Sequence, residues 1–363
     1  MSLFSAPPSV FAVEDEYQIC IPAESACTAW VRIGGRVHYD HANGILRSGR
    51  PVHIVRVPRA ELDAAKAYIV FLRPMIERRP YRSVTGEIES FPCSFTPIPE
   101  DQADLRIVNL ADAHSLVESP VRAGLAAFDG PPDLLVLNGD IPMDCGVPEH
   151  LKVPFVIAGR ITKGGAPCAF ARGNHDMRGV CAEQFAEITP NRNGLTYYTF
   201  RVGPVWGVVL DCGEDKPDDH EEYGHTIACK AFRDEEEAWL QEVADRGAPE
   251  DAKVRLVICH IPLCRRSRPP FDSEQDRHAR WCRLLAKLNP TLLLTGHAHK
   301  CFAEMPGGPH DTHGQPCLHI CSSHVKVETE EFTCGAIVVS PSTVRVRYVN
   351  EKDEKTEEEV FEI

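Results

Sequence analysis

The sequence has too few basic residues for a protein that binds nucleic acid along a charged groove. It carries 39 lysines and arginines against 53 aspartates and glutamates, which gives a formal net charge of −14. Binding to a phosphate backbone requires a concentrated positive surface, and the sequence contains nothing that resembles one. We therefore expect no stable nucleic-acid partner.

Long apolar runs are also missing. The longest apolar stretches are far too short to span a bilayer, so we expect no membrane partner. The N-terminal segment MSLFSAPPSVF lacks a basic region followed by a long apolar run, and no signal peptide is visible in it. The cytoplasm is therefore the default location, while nothing in the sequence indicates the oligomeric state.

Paired C-x-x-C motifs are absent although the chain has 15 cysteines, which argues against a zinc ribbon. Several cysteines lie in apolar stretches, for example Cys212 after VVLD and Cys259 in LVICH. This setting predicts buried free thiols in a reducing compartment.

The residues that are present divide the chain near residue 100. The chain has 363 residues, 43% of them hydrophobic, which is enough for a large core. Up to residue 98, short runs rich in β-branched and aromatic residues, such as YQICI, TAWVRI and YIVFL, alternate with turn clusters. This spacing predicts a small all-β sandwich of the fibronectin or immunoglobulin kind over residues 1–98, with a proline-rich linker at 99–104.

From residue 105 onwards, apolar runs alternate with helical segments. Examples are LRIVNLAD, SLVESPVRAGLAAF and PDLLVLNGD, and the pattern continues to about residue 350. Strands that alternate with helices are typical of an α/β domain with buried strands, which we predict over residues 105–350. The final stretch, EKDEKTEEEVFEI at residues 351–363, predicts a solvated acidic tail.

Polar residues stand directly after the apolar runs of this region. Four runs end in this way: IVNL precedes Asp112 and His114, LLVLN precedes Asp140, LVIC precedes His260, and LLLT precedes His297 and His299. A fifth cluster, Asn174 and His175, lies on the glycine turn ARGNHD. A single aspartate after a strand is often only a helix cap, but capping does not explain five such clusters. Because ligands bind beyond the carboxyl ends of strands in α/β sheets, we expect these side chains to converge.

The candidate side chains have the chemistry of a metal site. Carboxylate oxygen, imidazole nitrogen and amide oxygen together suit first-row transition metals such as Mn, Fe, Co, Ni or Zn. Seven candidate ligands are too many for one tetrahedral ion. They fit two ions about 3.5–4 Å apart that share one carboxylate and a water molecule. The sequence therefore predicts a centre of two metal ions.

The order of these motifs resembles that of the calcineurin-like metallophosphoesterase superfamily over residues 105–300. The five blocks are Asp112-x-His114, Gly139-Asp140, Gly173-Asn174-His175-Asp176, His260 and Gly296-His297-x-His299. The resemblance implies an α/β fold with a β-sandwich core flanked by helices. More loosely, the predicted N-terminal sandwich resembles the arrangement of purple acid phosphatases.

The resemblance also implies a role for each residue. Two groups of three would hold one ion each, and one carboxylate would bridge them: Asp112, His114 and His299 for the first ion, Asn174, His260 and His297 for the second, and Asp140 as the bridge. His175 would face the substrate as general acid or transition-state stabiliser, and Asp176 would be structural or would support the ligands. The two cofactors would be divalent or trivalent ions of Mn, Fe or Zn. The implied activity is hydrolysis of phosphate mono- or diesters by a hydroxide that bridges the two ions.

Two features near the turn depart from the family pattern or leave alternatives open. Three positions after Asp140 the family has an acid or, in purple phosphatases, a tyrosine, whereas this chain has Met143. The nearest acid is Asp144, which would orient His175 only through a local bulge. Arg172 and Arg178 flank the turn and would either clamp phosphate or form structural salt bridges.

The substrate class stays open at the level of the sequence. A phosphomonoester, a phosphodiester and a cyclic nucleotide all fit the motifs, and we expect the loops GEDKPDDHEEYGHT and FAEMPGGPHDTHGQ to decide between them. A second hypothesis is a scaffold protein that keeps the fold but has lost catalysis. Such a protein would lack some of the ligands, whereas every ligand position is filled here.

Overall fold

The first third of the chain is built almost entirely from strands. The structure is a computed structural model that describes residues 2–271 and 274–363, so the first residue of the predicted N-terminal domain lies outside the described residues. This part contains one helix, α1 (Arg59–Ala65), and the following strands: β1 (Ser9–Val13), β2 (Glu16–Pro22), β3 (Cys27–Ile33), β4 (Arg36–Tyr39), β5 (His41–Ala42), β6 (Ile45–Leu46), β7 (Val52–Pro58), β8 (Ala67–Glu77), β9 (Val84–Thr85) and β10 (Glu89–Ser94).

The next part alternates strands with helices, as the sequence predicts. Its elements up to residue 188 are β11 (Leu105–Leu110), α2 (Glu118–Ala126), β12 (Leu134–Asn138), α3 (Val153–Thr162), β13 (Pro167–Ala171) and α4 (Ala182–Ile188). Proline near the start of α3 and a left-handed residue at its end, Lys163, fit the usual preferences for beginning and ending a helix. Short 3₁₀ helices occupy His150–Lys152 and His175–Met177.

The last part continues the alternation and ends in strands. Its elements are β14 (Tyr198–Val202), β15 (Val205–Val209), α5 (Cys229–Arg246), β16 (Val254–Ile258), α6 (Gln275–Ala286), β17 (Leu292–Thr295), β18 (Cys301–Glu304), β19 (Leu318–Ser322), β20 (His324–Lys326), β21 (Glu331–Val339), β22 (Thr343–Asn350) and β23 (Glu359–Glu362). Two more 3₁₀ helices occupy Glu221–Tyr223 and Val327–Thr329. None of the described helices has the length and apolar character needed to cross a membrane.

Two large mixed sheets form the centre of the molecule. The first has ten strands in the order β23-β22-β21-β11-β12-β13-β1-β2-β7, with β20 also paired to β21. The second has six strands in the order β14-β15-β16-β17-β19-β18. In the first sheet β11, β12 and β13 are parallel to one another, and in the second β15, β16, β17 and β19 are parallel. The predicted α/β fold with two packed sheets and flanking helices is confirmed.

The strands are apolar on both faces because each sheet is covered on both faces. Alternate residues of β12 belong to different cores: Leu134 lies in the core that contains residues of both sheets, and Leu135 lies in the core that contains residues of α2 and α3. In the same way Leu256 of β16 lies in the shared core, and Val257 packs with residues of α5 and α6. The fully apolar runs of the sequence therefore reflect a structure of four layers, helix, sheet, sheet and helix.

The cysteines contribute to these cores as free thiols. All 15 are unpaired, and all except the half-buried Cys301 are buried. The prediction of buried free thiols is confirmed, and burial raises the pKa of several of them, for example that of Cys168 to about 12. Such thiols behave as small apolar side chains.

The N-terminal strands extend the first sheet. Strand β1 pairs in parallel with β13, with Val10 opposite Pro167, and β2 and β7 follow it outwards. Five other N-terminal strands form a sheet in the order β10-β8-β3-β4, with β9 on β8, and β5 and β6 form a separate two-stranded sheet. Side chains of both groups, such as Ile19 and Val31, share one core with residues of β11 and β16. The N-terminal region is all-β apart from α1. The first sheet nevertheless contains strands from both sides of the predicted linker at residues 99–104, so the linker does not separate two sheets.

The acidic C-terminal stretch is mostly exposed, and it ends in a strand. Residues 352–360 are all exposed, which fits a solvated charge run. Strand β23 nevertheless pairs with β22 at the edge of the first sheet. The predicted tail is thus partly incorporated into the sheet.

We expect the fragment 99–363 to be much less stable than the full chain. Its loss of residues 1–98 would leave β13 without its neighbour β1 and would expose core residues to water. Thermal unfolding followed by circular dichroism should show a single transition for the full chain and a strongly lowered or broadened one for the fragment. Deleting only the exposed strand β23 is the control and should change the melting temperature little. A fragment that unfolds at the temperature of the full chain would show that residues 1–98 are an independent domain.

Candidate metal centre

The carboxyl ends of parallel strands from both sheets meet at one edge of the sandwich. Strands β11, β12 and β13 of the first sheet lead into Asp112, Asp140 and Asn174. Strands β16 and β17 of the second sheet lead into His260 and His297. Because parallel strands all end at the same edge, residues that are far apart in the sequence are brought together there. All seven predicted ligands lie in this region.

One group of donors consists of Asp112, His114 and His299. Their candidate ligand atoms all lie within 4.8 Å of one another. His299 Nε2 is 3.2 Å from Asp112 Oδ1 and 3.1 Å from His114 Nε2. Asp112 is completely buried, whereas His299 is half-exposed towards solvent. Among the described residues these three donors match the set that the sequence predicts for the first ion.

A second group consists of Asp140, His260 and His297, with Asn174 beside them. The ligand atoms of the first three lie within 4.8 Å of one another. His260 Nε2 is 3.1 Å from Asp140 Oδ2, and His297 Nδ1 is 3.0 Å from Asn174 Oδ1. These are the donors predicted for the second ion together with the predicted bridge.

Asp140 lies within reach of both groups. Its Oδ2 is 3.1 Å from His260 Nε2, and its Oδ1 accepts the backbone N–H of His175 at 2.8 Å. One carboxylate oxygen, a nitrogen of His114 and a ring nitrogen of His175 also lie within 4.8 Å of one another. His175 Nε2 is 4.0 Å from Asp140 Oδ2, so His175 stands at the edge of the cluster. Asp140 thus lies between the two groups, and His175 lies close to it.

The backbone of the ligand loops is unusual. Five of the seven ligands have positive φ angles: Asp112 (57°), His114 (45°), Asp140 (53°), His297 (64°) and His299 (49°). Such left-handed conformations cost about 1–2 kcal/mol each for residues other than glycine, and they cluster at functional sites. The strain is a consequence of turning the chain sharply at each strand end, so that successive side chains face the same centre.

Two glycines allow the loops to approach one another. A Cβ atom at Gly139, whose φ is +79°, would lie 2.5 Å from His260 Nδ1 and 2.7 Å from the Cα atom of Gly173. A Cβ atom at Gly173 would collide with Asp140. Any larger residue at either position would push the loops that carry Asp140, Asn174 and His260 apart.

Buried polar groups hold the ligands in place. Ser323 Oγ donates to Asp112 Oδ2 at 2.5 Å and accepts from the backbone N–H of His299 at 3.0 Å. His260 Nδ1 donates to the carbonyl oxygen of Asn138 at 2.7 Å, which directs Nε2 towards the cluster. Ser323 directly follows β19, so the pattern of a polar residue after an apolar run also marks it. The sequence-based prediction nevertheless missed it.

Asp176 connects two of the ligand loops. Its Oδ2 accepts the backbone N–H groups of Gly173 at 2.7 Å and of Asp140 at 3.2 Å. The carboxyl is completely buried, and burial together with the charge of Asp140 raises its pKa well above the usual value. Asp176 therefore holds the two loops together, and its carboxylate belongs to neither group of candidate metal ligands.

The electrostatics of the centre are those of a cation site. Burial is the largest single effect and favours the neutral acid in Asp112 and Asp140. The positive charge of His260, together with hydrogen bonds from His299 to Asp112 and from His260 to Asp140, nevertheless lowers the pKa of both carboxyls. Burial likewise opposes a charge on His260, yet the carboxylates of Asp140 and Asp112 raise its pKa to about 10. Burial lowers the pKa of His114 to about 4. Two buried carboxylates thus require nearby positive charge, which a bound cation would supply in place of the proton on His260.

Unsatisfied buried atoms provide an independent test of the metal hypothesis. Asp112 Oδ1 and His260 Nε2 are buried without a well-directed hydrogen bond to any described residue. Burial of such atoms is costly unless a partner is present. Carboxylate, imidazole and amide donors that converge on one point suit a first-row divalent metal. The residues of this chain therefore fit the metal ions that the motifs imply.

His175 is oriented by a backbone group. Its Nδ1 donates to the carbonyl oxygen of Met143 at 2.8 Å, so Nε2 is left for the cleft. Asp144 instead accepts from the N–H of Gly146 at 2.6 Å and contacts His150 at 3.1 Å. The structure therefore does not bring Asp144 to His175, and the carbonyl of Met143 occupies the position that we considered for an acid.

The two flanking arginines have different surroundings. Arg172 packs against Asp211, with 2.6 Å between Nε and Oδ2. This contact is the structural salt bridge, one of the two alternatives that the sequence left open. Arg178 donates to Glu214 through two nitrogens at 2.8 Å each. Its third nitrogen, Nη1, lies 3.3 Å from His175 Nε2. Only Arg178 of the two reaches the cleft beside the metal centre.

An open cleft of about 610 Å³ lies over the centre. Its lining includes Asp140 and the half-exposed His175, and on the walls Lys216 and three arginines of residues 265–268. Lys216 belongs to the first of the two loops predicted to decide the substrate. The arginines belong to a third loop, which the sequence-based analysis overlooked because the net charge of the chain is strongly negative. The local run RRSR was the available signal.

The histidines of the two predicted specificity loops lie away from the ligand groups. His310 Nδ1 contacts Glu304 Oε2 at 2.6 Å, and His313 Nδ1 donates to the carbonyl oxygen of Leu263 at 2.8 Å. His220 accepts the N–H of Glu222 at the start of a 3₁₀ helix. These contacts give the three histidines structural positions in their loops.

Residues 105–301 match the model of one protein family, described as calcineurin-like phosphoesterase. No curated protein matches the chain. Among solved structures, the chain resembles purple acid phosphatase PPD1 from yellow lupin (Lupinus luteus) seeds, at 13% identity and a TM-score of 0.63, over 98% of this chain and 74% of that one. It also resembles PhoD, at 12% identity and a TM-score of 0.57, over 100% of this chain and 90% of that one. At such identities the likeness shows a shared fold.

We expect Ser323→Ala to weaken the first metal site selectively. The change removes the hydrogen bond to Asp112 and the acceptor for the N–H of His299, so both ligands lose an orienting contact. Loss of such a contact typically costs about 10- to 100-fold in metal affinity. Competition with a chelator would measure the two affinities. The control is Ser322→Ala, which removes a neighbouring buried hydroxyl that has no hydrogen bond among the described residues. Equal effects of both changes would contradict the assigned role of Ser323.

Proposed function

We propose that this chain, which belongs to the calcineurin-like phosphoesterase family, hydrolyses phosphate esters at a centre of two metal ions. The family model covers residues 105–301, more than half of the chain, and the family predicted from the five motifs is confirmed. Membership supports a phosphoester hydrolase. The pair of metal ions, the substrate and the roles of single residues are our proposal.

One observation carries the proposal: seven donors from five separate loops converge as two groups around Asp140. The first group is Asp112 with two histidines, and the second is Asp140 and two histidines with Asn174 alongside. A purely structural cluster would satisfy its own buried atoms, whereas Asp112 Oδ1 and His260 Nε2 lack well-directed partners among the described residues. This supports a centre that is completed by cations.

When bound, two such cations supply a hydroxide nucleophile near neutral pH and neutralise charge on the phosphoryl oxygens. The chain itself holds the ligands, excludes water beneath them and positions the donors that face the cleft. Asp140, Asp112 and His260 are buried, so water does not screen their charges. Manganese, iron and zinc each fit the donor set, and we propose no choice among them.

We assign His175 to the leaving group or to the phosphoryl oxygens. Its Nδ1 donates to the Met143 carbonyl, which fixes the ring and leaves Nε2 facing the cleft. In this position Nε2 can give a proton to a departing oxygen. Arg178 Nη1, at 3.3 Å from Nε2, adds a positive charge beside the same position. Its bidentate contact with Glu214 keeps that guanidinium from turning away.

The rival hypothesis is a scaffold that has kept the fold without catalysis. Such a protein needs none of the ligands, and nothing would preserve two complete donor groups at the floor of a cleft. Complete groups therefore favour an enzyme. If the chain is an enzyme, its substrates are monoesters or diesters, including cyclic nucleotides. These classes differ in the charge and bulk around phosphorus, so one monoester and one matched diester distinguish the two activities.

We expect metal-free protein to be inactive and to regain activity as it takes up two metal equivalents. The chain would be stripped with a chelator, reloaded with Mn²⁺, Fe²⁺ or Zn²⁺, and assayed for release of 4-nitrophenol from 4-nitrophenyl phosphate and bis(4-nitrophenyl) phosphate.

Asp140→Asn should damage both sites. Asp144→Asn, a nearby acid bonded to Gly146, is the matched control and should retain both ions. Saturation at one equivalent would exclude the pair of ions, and a fully loaded but inactive chain would support the scaffold.

We expect His175→Ala to retain its metal ions and to lose about 10²–10⁴-fold in turnover, the usual scale for a positioned acid. The loss should shrink for leaving groups of low pKa, since these depart without a proton. Asn174→Ala should instead weaken the second ion, and excess metal should restore part of its activity. His150→Ala, which removes a histidine that contacts Asp144, is the control. Loss of metal from His175→Ala would place this residue among the ligands, which its distance to Asp140 permits.

A further inference from the structure

A loop rich in arginine forms part of the cleft wall. This arginine loop, residues 262–271, connects the segment that carries His260 to α6. Arg265, Arg266 and Arg268 all line the cleft together with His297 and His299. The loop therefore presents three guanidinium groups to the same space that the metal centre faces.

The three arginines have no acidic partner in the part of the chain that the structure describes. None of Arg265, Arg266 and Arg268 forms an ion pair with a residue of 2–271 or 274–363. Two other cations of the cleft differ: Arg178 is paired with Glu214, and Lys216 is paired with Asp215 at 2.9 Å. In a chain with a net charge of −14, three arginines at one site without an ion pair to a described residue favour an anionic ligand.

The arginine loop is anchored through its backbone. The N–H of Arg266 donates to Thr312 Oγ1 at 2.7 Å, and the N–H of Thr312 donates to the carbonyl oxygen of Cys264 at 2.9 Å. His313 donates to the carbonyl oxygen of Leu263 at 2.8 Å. The second predicted specificity loop thus supports the arginine loop, while the side chains of Arg266 and Arg268 stay exposed.

The scissile phosphoryl group does not need these arginines. It would be met by the metal ions, His175 and Arg178, whereas the cleft of about 610 Å³ has room for a larger organic molecule. Phe271, at 44% exposure, gives the same wall an apolar surface. We propose that the arginine loop binds a second phosphate group of the substrate, so that the preferred substrates are organic phosphate esters carrying two phosphates. This inference rests on the proposed phosphoesterase function.

Paired ligands that differ by one phosphate test the inference. The metal-loaded chain would be assayed with phenyl phosphate and 1,4-phenylene bisphosphate, whose leaving groups are similar. Calorimetry would measure the affinities for phenylphosphonate and 1,4-phenylenebisphosphonate, which are not hydrolysed. Arginine forms strong charge-assisted hydrogen bonds with phosphate, and we expect about a 10-fold preference for the ligand with two phosphate or phosphonate groups in both measurements.

The double variant Arg266→Gln/Arg268→Gln should reduce this preference to about 2-fold or less and leave the values for the single-phosphate ligands nearly unchanged. Arg283→Gln is the matched control, since Arg283 is also an exposed arginine but lines a different groove on α6. No preference in the wild type, or equal losses for both ligands in the double variant, would overturn the inference. If the metal-loaded chain hydrolyses neither phenyl phosphate nor the diester bis(4-nitrophenyl) phosphate, the proposed function fails, and the calorimetric comparison still decides whether the arginine loop recognises a second phosphate.

Discussion

The structure of the centre depends on the burial of two carboxylates, Asp112 and Asp140. Neither is more than 1% exposed, and both lie at the ends of central strands of the first sheet. Charges removed from water in this way are tolerated only with opposite charge close by. Histidines from the second sheet provide donors to the same point, and His260 lies 3.1 Å from Asp140. A cation bound at this point would therefore also hold the functional edges of the two sheets together.

Several structural features follow from bringing these loops so close. The strand ends turn through left-handed residues, and Gly139 and Gly173 leave out side chains that would separate the loops. Beneath the centre, Asn109 of the first sheet donates to the carbonyl oxygen of Thr295 in the second at 3.2 Å. Asn138 in turn donates to Asn109 at 3.3 Å. These polar groups lie within otherwise apolar strands, where their hydrogen bonds join the sheets in a fixed register.

The cleft combines a negatively charged floor with positively charged walls. In the proposed function the floor would hold cations, and the walls would attract the anionic ester. Arg178 and Lys216 are held by acids, so their positions are fixed, whereas Arg265, Arg266 and Arg268 have no ion pair with a described residue. A strongly acidic protein can in this way offer a local positive field to a small anion, because the field inside a cleft depends on the nearest groups more than on net charge.

The sequence by itself determined the family and the α/β alternation, and it marked the seven residues that we propose as metal ligands. Motifs such as Asp112-x-His114 state chemistry and order directly, and buried parallel strands leave unmistakable apolar runs. Only the tertiary structure decided what depends on contacts between distant segments. Three such contacts are the pairing of β1 with β13, the hydrogen bond from Ser323 to Asp112, and the hydrogen bond from His175 to the Met143 carbonyl. Each joins distant residues through the main chain or through a single side chain. Such contacts leave no periodic pattern in the sequence, because their partners are set by the packing of the whole chain.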